Sequence, residues 1–192
     1  HEGWTTYLES LYVEHRFGPD DARRYVNGYR SKVKNAEPIL TQRGIHRVPN
    51  QDMYFKGALF LHTLRAVVDD DARWFALVRD VVREFAYRNI LTEDLERFMS
   101  ARLGIGLAPI FAQYLGRAEL PVLELAFDAD GAMQYRWRAQ ERDFAMPVQI
   151  GAGGAWRTIR PTTSWQTMPA PGPPADVAVA TDRFYVAVEK RP

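Results

Sequence analysis

Residues 52–68 read DMYFKGALFLHTLRAVV, and this segment sets the expected architecture of the chain. Apolar side chains lie almost all round the helix that this stretch predicts, and a helix of that kind is expected to be buried. The preceding residues 35–51 contain two prolines and one glycine and predict a long connection. Three aspartates at 69–71 then open the next helix, where the helix dipole favours acidic side chains. Residues 52–68 are therefore the expected centre of a helical unit.

Helical spacing continues on both sides of this centre, up to about residue 117. Two amphipathic helices precede it, and Gly18-Pro19 is expected to separate them. Three helices follow it: one that opens at the aspartates, one for which Thr92 is the expected N-cap, and one with Pro109 in its first turn. The first part of the chain is thus predicted to consist of helices and the segments that connect them.

The second part of the chain, from Leu120-Pro121 onward, has apolar residues that alternate with polar or small ones. Asp130-Gly131 is a hairpin signal between two such runs. Because helices and strands occupy separate parts of the chain, we predict an α+β fold, with a helical domain at 1–117 and a small antiparallel β-sandwich at 118–192. The expected strands are 123–127, 133–137, 148–150, 156–159, 164–167 and 184–188.

Composition excludes several classes of protein. Lys and Arg total 25 and Asp and Glu total 24 in 192 residues, so the net charge is +1 and neither part of the chain is basic enough to predict nucleic-acid binding. No stretch approaches the roughly 18 apolar residues of a membrane-spanning helix. The chain has no cysteine, which excludes disulfides and thiolate metal ligands. It begins with His rather than Met, so we expect that further sequence precedes it in the native protein.

Two residues are candidates for chemistry, and each has a simpler structural interpretation. Glu2 points about 160° round its helix from Trp4, away from the apolar stripe, but acidic residues are also favoured in any first helical turn. Tyr54 lies on the buried helix, where a tyrosine is more often a core residue with a bonded hydroxyl. The start His1-Glu2 does not form a zinc-binding HExxH pair, because residue 5 is Thr5.

In combination and in this order, two segments resemble the aminopeptidase N family of zinc metallopeptidases. They are HEGWTTYLE at residues 1–9 and YFKGALFLHTLR at residues 54–65. The resemblance extends over essentially the whole chain, through residues 105–114, 120–124, 135–137 and 144–148. It implies that residues 1–117 are the helical half of a thermolysin-like catalytic domain and that residues 118–192 are the β-sandwich that follows it.

The resemblance also implies roles for the two candidate residues. Glu2 corresponds to the third zinc ligand of the family, and Tyr54 corresponds to its catalytic tyrosine. Zinc in the complete enzyme would polarise the scissile carbonyl of a peptide substrate and activate a bound water molecule. The Tyr54 hydroxyl would then donate a hydrogen bond to the oxyanion that forms.

Two segments of that family have no counterpart in this sequence. One is the HExxH helix, with two histidine ligands and the glutamate base, and the other is the Gly-x-Met-Glu-Asn strand that recognises the free amine of a substrate. A catalytic zinc needs three protein ligands, and the resemblance assigns only Glu2. We therefore expect a fragment of a zinc aminopeptidase, which by itself binds no zinc and is inactive. The alternative is a non-catalytic scaffold or interaction domain built from the same elements.

The missing half has a further implication. An isolated fragment should expose apolar surface on its catalytic-domain face, and self-association through that face is expected. The cellular location stays open, with a periplasmic or secreted one favoured over a cytoplasmic one.

Lys56 follows Tyr54 by two positions on the buried helix, so its side chain should point about 160° away from that of Tyr54. An ammonium group on the buried side of an apolar helix needs a partner. We predict that Lys56 pairs with a carboxylate or with backbone carbonyls of a neighbouring segment.

Overall fold

Helices fill the first part of the chain and strands fill the second. The computed structural model describes residues 1–42, 44–45, 47–128 and 130–191. The helices are α1 (Glu2–Phe17), α2 (Pro19–Asn27), α3 (Asp52–Val68), α4 (Asp71–Phe85), α5 (Thr92–Leu103) and α6 (Ala108–Gly116), and a 3-10 helix (Gly28–Lys32) directly follows α2. The strands are β1 (Val122–Phe127), β2 (Ala132–Arg138), β3 (Val148–Ala152), β4 (Ala155–Ile159), β5 (Gln166–Pro169), β6 (Ala178–Val179) and β7 (Ala187–Arg191). This order confirms the predicted α+β fold.

The centre of the helical part is α3, as its sequence predicts. Twelve of its seventeen residues are buried, including residues on every side of the helix. Its most extensive neighbour is α1, and α4 and α6 also pack against it. Within the described ranges, no helix combines the length and the apolar character that crossing a membrane requires.

The helix ends follow the local sequence signals, with one correction. Gly18, at φ 96°, ends α1 and precedes Pro19 at the start of α2, which confirms the predicted break. Asp70 caps α4, because its carboxylate accepts a hydrogen bond from the Arg73 N–H at 3.0 Å. The prediction that Thr92 is an N-cap is wrong, since Thr92 is already helical. The donor at that end is satisfied instead by the Asp94 carboxylate, which accepts from the backbone N–H of Leu91 at 3.0 Å.

The strands form two sheets. One has the order β5-β2-β1-β7 and the other has the order β4-β3-β6. The predicted hairpin is β1–β2, with Leu123 opposite Trp137. Of the five strand pairs in the described residues, four are antiparallel as predicted, and the prediction is wrong for the fifth, because β7 pairs with β1 in parallel. The chain crosses over to the second sheet before it returns, and so β7 runs in the same direction as β1. The strands expected at 164–167 and 184–188 begin two to three residues later, and β6 was not predicted.

One continuous apolar cluster links the helical part to both sheets. It contains Leu59 of α3, Leu125 of β1 and Ile150 of β3, each of which is fully buried. Polar contacts reinforce the junction between α3 and the segment that precedes β7. The Thr63 hydroxyl accepts from the backbone N–H of Tyr185 at 2.9 Å, and His62 Nε2 lies 2.8 Å from the carbonyl oxygen of Asp182. The segment that precedes β7 therefore packs directly on the helix that carries Tyr54.

Candidate functional site

The backbones of α1 and α3 touch at two glycines. A Cβ atom built on Gly3 would lie 2.7 Å from the Gly57 Cα, and one built on Gly57 would lie 2.9 Å from the Gly3 Cα. Carbon atoms in contact are ordinarily 3.5–4.0 Å apart, so any side chain at either position would push the helices apart. The contact holds the first residues of α1 against the first two turns of α3.

Glu2 lies at this contact, as the first residue of α1. Its carboxylate Oε1 is 3.0 Å from His1 Nε2, and 30% of its side chain is exposed. It lines a cleft of about 420 Å³. The other walls of this cleft are mostly apolar and include Met53 and Phe60 of α3, Leu95 of α5 and Phe111 of α6. The structure thus presents a carboxylate at the edge of an apolar cleft.

Tyr54 lies in the first turn of α3 and is partly buried. Its ring centroid is 6.4 Å from that of Phe55. Its neighbours Met53 and Gly57 line the cleft beside Glu2, whereas Tyr54 is not among the residues that line it. The structure therefore brings the two candidate residues onto adjacent turns of touching helices, but not into one cleft. Their roles as zinc ligand and catalytic tyrosine stay predictions.

Lys56 confirms the prediction made for it. Its side chain is fully buried, and its Nζ donates to the carbonyl oxygens of Arg117 at 2.9 Å and Ala118 at 2.7 Å. Burial lowers the pKa of Lys56 to about 8, and the charge of Asp52 acts in the opposite direction. The ammonium group thus ties α3 to the chain segment between α6 and β1.

Asp52 is a buried polar residue that the sequence did not single out. It is 1% exposed, and its two carboxylate oxygens accept the backbone N–H groups of Lys34 at 2.9 Å and Asn35 at 2.7 Å. Asn35 has the left-handed φ of 48°, which asparagine tolerates better than most residues. An acidic residue at a helix start is too common a feature to have indicated this contact.

Arg65, at the other end of α3, is the centre of an ion-pair network that the sequence also missed. Its two terminal nitrogens donate to Glu14 at 2.6 and 2.8 Å, and its Nε and one terminal nitrogen donate to Asp71 at 2.7 and 2.8 Å. These hydrogen bonds, with that to Glu14 the strongest, raise the pKa of Arg65 above its ordinary value. Nearby, the Tyr7 hydroxyl accepts from Trp74 Nε1 at 2.9 Å, and burial raises the pKa of Tyr7 to about 12. The network joins α1, α3 and α4.

The described side chains do not form a zinc site by themselves. Among residues 1–42, 44–45, 47–128 and 130–191, no group of three or more histidine, aspartate or glutamate side chains is placed to hold a metal ion. Catalytic zinc takes three protein ligands and one water. Glu2 could be one ligand, in a set completed by residues outside the described ranges.

Comparison with known proteins gives a match in structure but not in sequence. No family model matches the chain, and no curated protein matches it. Among solved structures, the chain is similar to the crystal structure of Legionella pneumophila aminopeptidase A in complex with aspartic acid, with a TM-score of 0.77 and 14% sequence identity. The similarity covers 100% of this chain and 24% of that aminopeptidase, so the chain spans about a quarter of its length. At this identity the match shows that the two proteins share a fold over this region.

Proposed function

We propose that this chain is part of the catalytic unit of a zinc aminopeptidase, in which Glu2 is a zinc ligand and Tyr54 a hydrogen-bond donor to the reacting carbonyl. The observation that carries the proposal is the backbone contact between Gly3 and Gly57. It holds the start of α1, which carries Glu2, against the first two turns of α3, which carry Tyr54. The shared fold with an aminopeptidase over the whole chain supports the same function.

The chemistry assigned to Tyr54 follows from what peptide hydrolysis demands. When water attacks the carbonyl carbon of a peptide bond, negative charge develops on the carbonyl oxygen. A phenolic hydroxyl held in place stabilises that charge without reorganisation, and removing one such donor typically lowers turnover by about 10²–10³. Tyr54 lies on a helix that is buried on several sides. The backbone of Tyr54 is therefore held in place, as a preorganised hydrogen-bond donor requires.

The role assigned to Glu2 is that of one ligand in a set completed by residues outside this chain. A carboxylate oxygen is a suitable zinc ligand, and the side chain is partly exposed at the edge of the cleft. Its neighbour His1 reaches the same carboxylate, so the Glu2 side chain already has an orienting partner. The His1 side chain is largely exposed, so it orients the Glu2 carboxylate without forming a buried ion pair with it.

The test uses the full-length product of the gene and a panel of aminoacyl 4-nitroanilides. Tyr54→Phe should lower kcat by about 10²–10³ while zinc content stays that of the wild type. Glu2→Gln should lower both zinc content and activity. Matched controls are Tyr12→Phe, at a tyrosine that is 63% exposed, and Glu119→Gln, at an exposed glutamate, and both should behave as the wild type.

Two outcomes would overturn the proposal. The first is a Tyr54→Phe variant as active as Tyr12→Phe, which would remove Tyr54 from the reaction. The second is a full-length product that binds no zinc and hydrolyses none of the substrates, which would favour a non-catalytic scaffold built on the same helices.

A further inference from the structure

Two buried charged side chains, Asp52 and Lys56, lie on either side of Tyr54 in the sequence. They are one helical turn apart and so share a face of α3, while Tyr54 projects from the opposite face. Asp52 is 1% exposed and Lys56 is 0% exposed. Both belong to the first two turns of the helix, and neither has a role in the function proposed above.

Each of the two side chains binds backbone groups of a different, distant segment. Asp52 accepts the N–H groups of Lys34 and Asn35, in the connection that follows the 3-10 helix. Lys56 donates to the carbonyls of Arg117 and Ala118, just beyond the end of α6, where the helix dipole favours a cation. The same face of the turn is therefore tied to two chain segments that are more than 80 residues apart in the sequence.

The segment that Lys56 binds is held by other buried groups as well. Gln113 of α6 is fully buried, and its Nε2 donates to the Glu119 carbonyl at 2.9 Å while its Oε1 accepts the Glu141 N–H at 2.9 Å. Three consecutive carbonyls, at residues 117–119, thus accept hydrogen bonds from buried side chains of the helical part. The anchor for Lys56 is a fixed structure rather than a mobile loop.

Burying an ammonium group and a carboxylate is unfavourable compared with apolar side chains of the same size. Hydrogen bonds are directional, so they hold the helix in one position relative to its neighbours. Apolar contacts alone would let the helix slide. We propose that Asp52 and Lys56 are positioning residues for Tyr54, which fix the first turns of α3 so that the Tyr54 hydroxyl is held at one point. This inference rests on the proposed function of Tyr54.

The experiment is a double-mutant cycle on the full-length gene product. Lys56→Met keeps an unbranched side chain that is one heavy atom shorter and removes the hydrogen-bond donors. It should lower kcat by about 10–100-fold with KM nearly unchanged, because misplacing a reacting group by about 1 Å can have an effect of that size. In the Tyr54→Phe background, the same substitution should lower kcat by less than about twofold. Asp52→Asn retains one acceptor oxygen, so it should lower kcat by a smaller factor than Lys56→Met does. That decrease should also nearly vanish in the Tyr54→Phe background.

A merely structural role would give a different result. If Lys56→Met only reduced the amount of folded protein, it would lower activity by the same factor with and without the Tyr54 hydroxyl. Lys190→Met is the matched control, because this lysine also donates to a backbone carbonyl, that of Pro174 at 3.4 Å, but at an exposed position. It should leave kcat unchanged.

Hydrogen exchange gives a readout that does not depend on activity. The amides of Met53, Tyr54 and Phe55 are hydrogen-bonded to the carbonyls of Asn50 and Gln51. Lys56→Met should expose these amides to faster exchange than Lys190→Met does, while the amides in the second half of α3 stay protected. Equal protection in the two variants, or equal factors in the two backgrounds of the cycle, would overturn the inference. An unaffected Tyr54→Phe variant would instead overturn the proposed function.

Discussion

The close approach of α1 and α3 makes Gly57→Ala the most direct test of the packing. The new Cβ would lie 2.9 Å from the Gly3 Cα, whereas carbon contacts are ordinarily about 3.5–4.0 Å. The helices would therefore have to separate by roughly 0.6–1.1 Å. The atom in the way belongs to the backbone, so no side-chain rotation relieves the overlap.

The expected magnitude follows from two opposing effects. Overpacking a well-packed interior destabilises a protein by about 1–3 kcal/mol. Replacing a helical glycine by alanine raises the free energy of unfolding by about 0.5–1 kcal/mol, because alanine favours the helix. The free energy of unfolding of Gly57→Ala should therefore be lower by about 0.5–2 kcal/mol, which lowers the Tm of a chain of this size by roughly 1–8 °C.

Thermal unfolding followed by circular dichroism is the assay, and Gly28→Ala is the matched control. Gly28 has φ −60° and ψ −21°, and a Cβ built on it meets nothing within 4 Å. Gly28→Ala should thus raise the Tm or leave it unchanged, through the lower entropy of the unfolded chain. If Gly57→Ala proved as stable as Gly28→Ala, the two helices would not touch at this point and the placement of Glu2 beside the turn of Tyr54 would be wrong.

Three further predictions follow from charged groups. Arg65→Met should lower the free energy of unfolding in urea by about 2–4 kcal/mol, because it leaves the largely buried Glu14 carboxylate without its partner. The control Arg88→Met, at an exposed ion pair, should lower it by less than about 0.5 kcal/mol. Equal losses in the two variants would contradict the importance of the Arg65 network. Burial lowers the pKa of Lys56 to about 8 from 10.5, so the unfolded chain binds more protons than the folded chain between these two pH values. The free energy of unfolding of the wild type should therefore rise relative to that of Lys56→Met, by up to about 3 kcal/mol, from pH 8 to pH 10.5. Parallel stability curves for the two proteins over that pH range would refute it. Finally, the 192-residue chain should hold no stoichiometric zinc in elemental analysis after dialysis, and one tightly bound zinc that is lost in Glu2→Gln would show that the chain carries a complete site.

Features that depend on local periodicity were predictable from the amino-acid sequence. The apolar pattern of residues 52–68 predicted a buried helix, and the structure has α3 over the same residues. The Asp130-Gly131 signal predicted the β1–β2 hairpin. The burial and pairing of Lys56 were also predictable, because the direction of each side chain on a helix is fixed by its position in the sequence. In each case, residues that are close in the chain carry the whole signal.

For the candidate site, the sequence named Glu2 and Tyr54 but could not give the relation between them. Their closeness depends on the Gly3–Gly57 contact, and a glycine carries no side-chain pattern from which a contact could be inferred. That Tyr54 lies outside the cleft lined by Glu2 was equally beyond prediction, since the cleft is formed by residues of four helices.

Contacts between segments that are distant in the chain depend on the tertiary packing instead. Asp52 finds its partners 17 and 18 residues away, and Arg65 finds Glu14 at a separation of 51. The parallel pairing of β7 with β1 likewise depends on the path of the intervening chain through a second sheet. The position of a charged residue in its helix can indicate that the side chain is buried, but it does not say which distant group the side chain meets. That partner is fixed only when packing removes water from around the charge and leaves the groups of another segment to satisfy it.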